Sequence, residues 1–237
     1  MEYKLQQLYG GAIESVIPGG LLDASNFRQV PDTQEVFVNN NNSLLQKEDN
    51  LIIDLLEPVQ VGKGLPDSHA IVIHFEEISK LNEISNEWKL LGIQDTTQSL
   101  DKDLVNSNKG ITSYLTAGLE PALKWGRSNP REDFLQPTLV LILGLIRLND
   151  VLTDVTVSLN IPFIKEDELI SLKEFYRCLE LNNNDGNDAN KSGIDLVTIK
   201  SDNSLKDSIA YKRIELGKEV VLKFIANFKI HDTSLFC

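Results

Sequence analysis

Residues Thr138–Phe163 read TLVLILGLIRLNDVLTDVTVSLNIPF, and this stretch decides the fold. "TLVLILGLIRL" (Thr138–Leu148) and "VLTDVTVSLNIPF" (Val151–Phe163) are two apolar runs, each long enough for a strand and rich in β-branched residues. Between them "NDVL" places Asn149 and Asp150, whose short polar side chains favour turns, so the pair is expected as a central antiparallel hairpin.

Working outward toward the N-terminus, "NLIIDLLEP" (Asn50–Pro58) is a third nearly continuous apolar strand, closed by Pro58, which cannot donate to a ladder. Before it, "FRQVPDTQEVFVN" (Phe27–Asn39) ends in a strand that alternates Glu35 and Phe37 on one face with Val36 and Val38 on the other. Both faces are therefore partly apolar, which implies a sheet covered on both sides. "QLYGGAIESVIP" (Gln7–Pro18) reads as one strand with a Gly-Gly kink, stopped by the turn signal Pro18-Gly19-Gly20. "LLDASNFRQVPD" (Leu21–Asp32) reads as a loop or short helical turn capped by Asp23 or Ser25.

Helices complete the pattern. "PDSHAIVIHFEEISKLNE" (Pro66–Glu83) starts on Pro66 and Asp67 and repeats Ile71, Phe75, Ile78 and Leu81 at helical spacing. "SLKDSIAYKRIELGKEVVLKFIANF" (Ser204–Phe228) sets Leu205, Ile209, Leu216, Val220, Phe224 and Phe228 on one stripe, a long helix expected to pack on the sheet. "SYLTAGLEPALKWG" (Ser113–Gly126) suits a strand, though Pro121 disfavours an interior position and its Ala-Leu content also suits a helix. "ELNNNDGNDANKSG" (Glu180–Gly193) offers almost nothing to bury and is expected as a disordered insertion. The sum is an α/β (α+β) pattern with a late helix, read as one domain across residues 1–237 with insertions.

Composition excludes several functions. A net charge of −12 and a pI near 4.7 oppose nucleic-acid binding, which needs clustered Lys and Arg, and favour a basic protein partner or simple solubility. Cys178 and Cys237 form no CxxC, no His stands near them at ligand spacing, and a metal site or cofactor is not expected. "MEYKLQQLYGGAI" lacks the plan of a secretory signal, and the longest apolar run is too short for a membrane span and carries Arg147. "VGKGLPDS" (Val61–Ser68) lacks the spacing of a P-loop, and no nucleophile-elbow or zinc-protease motif occurs. His69 and His74, five apart, point to different helix faces and read as surface or hydrogen-bonded residues.

Carboxylates are what remain: Asp32, Glu35, Asp54 and Glu57 lie in or beside apolar strands. Asp54 and Glu57 could form an acid/base pair of the glycosidase kind, but few aromatics are present to platform a sugar. Three residues apart on a strand, they point to opposite faces unless the strand bulges or ends before Glu57. Without a partner, a mid-sheet charge costs several kcal/mol, so Asp54 must reach solvent, a hydrogen bond, or Arg28 as an internal ion pair.

"LYGGAI" (Leu8–Ile13), "PGGLLDASNFRQVPDTQEVFVN" (Pro18–Asn39), "LIIDLLE" (Leu51–Glu57), "GLIRL" (Gly144–Leu148), "TDVTVSLNIP" (Thr153–Pro162) and "HDTSLF" (His231–Phe236), in this order, resemble the Ran guanine nucleotide release factor family. The resemblance implies a curved antiparallel sheet flanked by helices on both faces, similar to the PsbP subunit of photosystem II. It also implies binding to the Ran GTPase, release of its nucleotide, and a role in nuclear import, in the nucleus and also the cytoplasm. Such a protein is a monomeric regulator without covalent catalysis, with no nucleic acid or membrane among its partners. An adaptor that binds Ran without releasing nucleotide, and a carboxylate-dependent hydrolase, are the alternatives. The family's acidic binding patch falls on Asp54 and Glu57, with Asp23, Arg28, Asp32, Gln34 and Glu35 as contributors.

Overall fold

The computed structural model describes residues 2–40, 44–84, 87–125, 136–184 and 203–236. Strands β1 (Tyr3–Leu8) and β2 (Ile13–Pro18) pair antiparallel through a tight turn at Tyr9–Gly11. Gly10 and Gly11 both take positive φ there, 66° and 96°, so the glycines reverse the chain instead of kinking one strand. β3 (Leu21–Asp23) leads into a short 3-10 turn, which Asp23 caps by accepting the Ser25 N–H at 2.8 Å. Then come β4 (Gln34–Asn39), β5 (Asn50–Leu56) and helix α1 (His69–Leu81).

After α1 the chain forms β6 (Lys89–Asp95), the short helix α2 (Lys102–Ser107) and β7 (Thr112–Pro121). Pro121 is tolerated because it is the last residue of β7, where one missing donor ends the ladder without breaking it. The expected hairpin is β8 (Thr138–Leu148) and β9 (Thr153–Phe163), in register from Thr138↔Phe163 to Leu148↔Thr153. Helices α3 (Glu166–Asn184), α4 (Asn203–Lys206) and α5 (Ile209–Ala226) follow, and β10 (Lys229–Ile230) pairs with β2. Glu180–Asn184, expected to be disordered, continue α3, and residues 185–193 lie outside the described set.

The result is a mixed α+β architecture: a seven-stranded antiparallel sheet, ordered β3-β4-β5-β9-β8-β7-β6, and a three-stranded sheet, β1-β2-β10. As the two-sided strands imply, both faces of the large sheet are covered. On one, Ile142, Ile146, Val157 and Leu159 meet Ile214, Val221, Phe224 and Ile225 of α5. On the other, Ile71 and Phe75 of α1 meet Leu141, Leu143 and Leu145 of β8.

Helix α5 sits close because small residues let it. A Cβ on Gly217 would stand 2.6 Å from Ile161 Cδ1, and one on Gly144 of β8 would stand 2.6 Å from Val221 Cγ1. The buried face of α5 therefore takes in Ala210, Ile214, Gly217, Val221 and Ile225 beside Val220 and Phe224, and is wider than the expected stripe. Val220, Phe224 and Phe228 are buried as expected, whereas Ile209 is 38% exposed and Leu216 only flanks the core. Buried Arg213 ties α5 to Asp49 (2.7 Å), to Glu168 at the start of α3 (3.3 Å) and to the Pro162 carbonyl (3.1 Å).

Candidate functional site

Register explains where each expected site residue lands. β4 and β5 pair Gln34 with Asp54, and the Gln34 side-chain amide donates to Asp54 Oδ1 at 2.6 Å. Asp54 is thus held by Gln34 and not by Arg28, which is exposed. Burial pushes the Asp54 carboxyl above the usual carboxylate range, with the Gln34 hydrogen bond and the nearby His74 opposing that push.

Glu35 points to the opposite face, where its carboxylate accepts the Tyr9 N–H at 2.6 Å. Burial also raises its pKa; that hydrogen bond lowers it and Asp23 adds to the rise. The Tyr9 phenol donates to the carbonyls of Thr33 (3.2 Å) and Ile53 (3.0 Å), pinning the β1–β2 turn to both strands. Asp23 serves as a turn cap.

Asp32 and Glu57 are exposed and line one depression together with Thr33, Leu55, Leu152 and Phe236. Leu152, at the tip of the β8–β9 hairpin, is 71% exposed and sits at a φ of 49°, a conformation rare for a large side chain. β5 ends at Leu56, so Glu57 escapes strand alternation, yet it does not join Asp54 in one depression. Leu56 borders both; of the seven expected residues, Gln34 and Asp54 line one depression, Asp32 and Glu57 the other, and Asp23, Arg28 and Glu35 line neither.

Asp54 opens instead into a cleft of about 290 Å³ between the sheet and α1, lined by His74, Glu77, Leu81, Thr156 and Asn160 among others. Leu81, expected on the buried stripe of α1, is 83% exposed at this edge because the sheet beneath it is not filled.

Beneath the cleft lies a network that sequence reasoning missed. Asp154, opposite Arg147 in the β8–β9 ladder, accepts from Arg147 Nε at 3.0 Å and the Val59 N–H at 3.1 Å, and contacts His74 Nε2 at 2.8 Å. Arg147 also donates to Asp67 (2.6 Å) and to the Val59 carbonyl (2.9 Å). Asp67, expected to start the helix, instead accepts from Arg147, Thr112 and Tyr114, while α1 begins at His69. Burial alone would raise the Asp154 carboxyl, but His74, Arg147 and the Val59 N–H outweigh it and hold the group below its usual range. The network fastens the segment between β5 and α1, and with it the setting of Glu57. Its signal was Arg147, a charge inside an otherwise apolar strand.

Among the described residues no group of three or more His, Cys, Asp or Glu is placed to hold a metal ion, and no helix is long and apolar enough to cross a membrane. What the site offers is carboxylate oxygen, near exposed apolar side chains and without a nucleophile and base in hydrogen-bonded series. Such a surface suits recognition of a basic partner.

Residues 6–162 match the family described as Ran-interacting Mog1 protein. The chain is 36% identical over 173 residues to the nuclear import protein MOG1 of Saccharomyces cerevisiae, covering 70% of each. It is 27% identical over 157 residues to the Ran guanine nucleotide release factor of Danio rerio, covering 65% of this chain and 76% of that one. The crystal structure of the Saccharomyces cerevisiae Ran-binding protein Mog1p superposes with a TM-score of 0.64 at 28% identity, over 100% of both chains.

Proposed function

The chain belongs to the Ran-interacting Mog1 protein family, and on that premise we propose that it binds Ran through the carboxylates gathered around the end of β5. It is a regulatory binding protein of nuclear import and a guanine nucleotide release factor, not an enzyme.

The observation that carries the site assignment is the division of charge there. Exposed Asp32 and Glu57 flank Leu152, while Asp54 is half-buried with its carboxyl pushed up by burial. An acid kept where its charge is costly points to a recognition role, and an exposed leucine between acids supplies the apolar centre such an interface needs. Gln34 orients Asp54, and Glu35 and Asp23 set the β4 end and its preceding turn. Complementary charge speeds encounter with a basic surface, and desolvated contacts near Leu152 supply affinity.

Nucleotide release follows by linkage. A protein that binds nucleotide-free Ran more tightly than loaded Ran weakens bound nucleotide by the same factor. The decisive experiment follows loss of a fluorescent guanine nucleotide from purified Ran. Wild type should accelerate the loss, and Asp54→Lys with Glu57→Lys should weaken Ran binding by roughly 2 kcal/mol or more while thermal unfolding barely moves. Binding without acceleration would leave an adaptor, and a collapse of unfolding in the double variant would reassign the two acids to structural duty.

A further inference from the structure

The cleft beside Asp54 is more than a continuation of the acidic patch. Its floor holds two buried polar atoms that nothing among the described residues satisfies. His74 is 1% exposed and its Nδ1 has no hydrogen bond; Thr156 is fully buried and its hydroxyl likewise has none. Such atoms are uncommon in folded proteins and call for a reason.

Asp154 Oδ2 lies 2.8 Å from His74 Nε2, and Glu77 Oε2 lies 3.6 Å from His74 Nδ1. Asp54 Oδ1 is taken by Gln34, and Oδ2 remains to accept. The amides nearby each direct an N–H elsewhere: Gln34 to Asp54, Asn82 to Glu120, Asn160 to Asn50. Carboxylates crowd this cleft, Asp54 and Glu77 on its lining and Asp154 against His74 beneath it, and a donor-rich cation would relieve the crowding.

Shape narrows the occupant. Ile52, Leu56, Ile78 and Leu81 line the walls, an apolar sleeve for a methylene stem above an acceptor floor. At about 290 Å³ the cleft lies below the range that holds drug-sized ligands, which suits a single side chain. The chain's net charge of −12 favours a basic visitor again.

We propose that this cleft is a socket for one lysine or arginine side chain of Ran, with Glu77, Asp54 and the Thr156 hydroxyl as its acceptors. The proposal rests on the Ran-binding reading and extends the contact surface from β5 onto α1. Glu77 becomes a binding residue, and Thr156 a buried hydroxyl that is satisfied only in the complex.

The test measures Ran affinity of the full-length chain, with thermal unfolding followed in parallel. Glu77→Lys should weaken binding tenfold or more at unchanged unfolding temperature, since the Glu77 side chain is 54% exposed. Glu77→Gln should weaken it severalfold and flatten the salt dependence. Thr156→Val keeps the volume while deleting the unsatisfied hydroxyl, so it should weaken binding severalfold with unfolding temperature equal or higher. Glu57→Lys, outside the cleft, is the control for the parent reading. If Glu57→Lys loses Ran while Glu77→Lys and Thr156→Val bind like wild type, the socket is overturned and the Ran-facing patch stands. If Glu57→Lys also binds like wild type, both fall together.

Discussion

The two faces of the seven-stranded sheet solve opposite problems. Toward α5, aliphatic side chains of β8 and β9 interlock with the helix, and Gly144 and Gly217 bring backbone to within side-chain contact. Toward α1, the packing around Phe75 and Trp88 gives way to the Arg147–Asp154–His74 network and then to a cleft with unsatisfied polar atoms. The α5 face is closed by packing and by the buried Arg213 contacts; the α1 face opens into a cleft, and the proposed partner surface lies along it.

Breaking the network should have the largest effect. Arg147→Ala leaves the buried Asp154 carboxylate facing only His74 and the Val59 N–H, and removing one partner of a buried pair costs about 3–5 kcal/mol. Chemical denaturation should show that loss. Below the unfolding transition, Ran affinity should also drop, because the segment carrying Val59 and Asp67 loses its anchor.

Gly217→Ala probes the other face. The added methyl meets Ile161 and Ile142, and overpacking of this kind costs about 1–3 kcal/mol. Ran affinity should stay at the wild-type value while the denaturation midpoint falls. Equal loss of binding would mean the two faces are coupled and the contrast between them false.

The smallest effect has the opposite sign. Burial raises the Asp54 pKa in the folded protein, so from the ordinary carboxylate range upward the folded state holds that proton more readily than the unfolded chain. Stability attached to this group therefore declines as pH rises through the shifted value. Asp54→Asn should unfold at a slightly higher temperature than wild type near neutral pH, with the gap closing in acid where both side chains are neutral. Ran affinity should fall in the same variant, separating what the carboxylate does for binding from what it costs the fold.

How legible each element was depended on whether its signal was local. The β8–β9 hairpin stood out because two long apolar runs flank one turn, and α1 because its spacing is regular. Helix α5 was recognisable: Leu205, Val220, Phe224 and Phe228 of the expected stripe are buried, whereas Ile209 and Leu216 are not, and Ala210, Ile214, Gly217, Val221 and Ile225 complete the buried face. Leu169, Leu172, Phe175 and Leu179 did repeat at helical spacing, yet α3 was passed over beside the Asn-rich stretch. The β1–β2 hairpin was missed because Tyr9-Gly10-Gly11 looked like a kink. In the site, Asp54 and Glu57 announced themselves as acids among apolar neighbours. His74 and Asp154 lie 80 residues apart, and only strand register and the seating of α1 bring them together.

Strand β2 carries a consequence for biosynthesis. Its one edge is taken by β1, a few residues away, and the other by β10, whose residues Lys229 and Ile230 emerge from the ribosome some two hundred positions later. Ser15 Oγ likewise waits for the Phe224 carbonyl, 209 residues on, to which it donates at 2.6 Å. Until then the nascent chain holds an open strand edge and an uncovered aliphatic sheet, the features that invite mispairing.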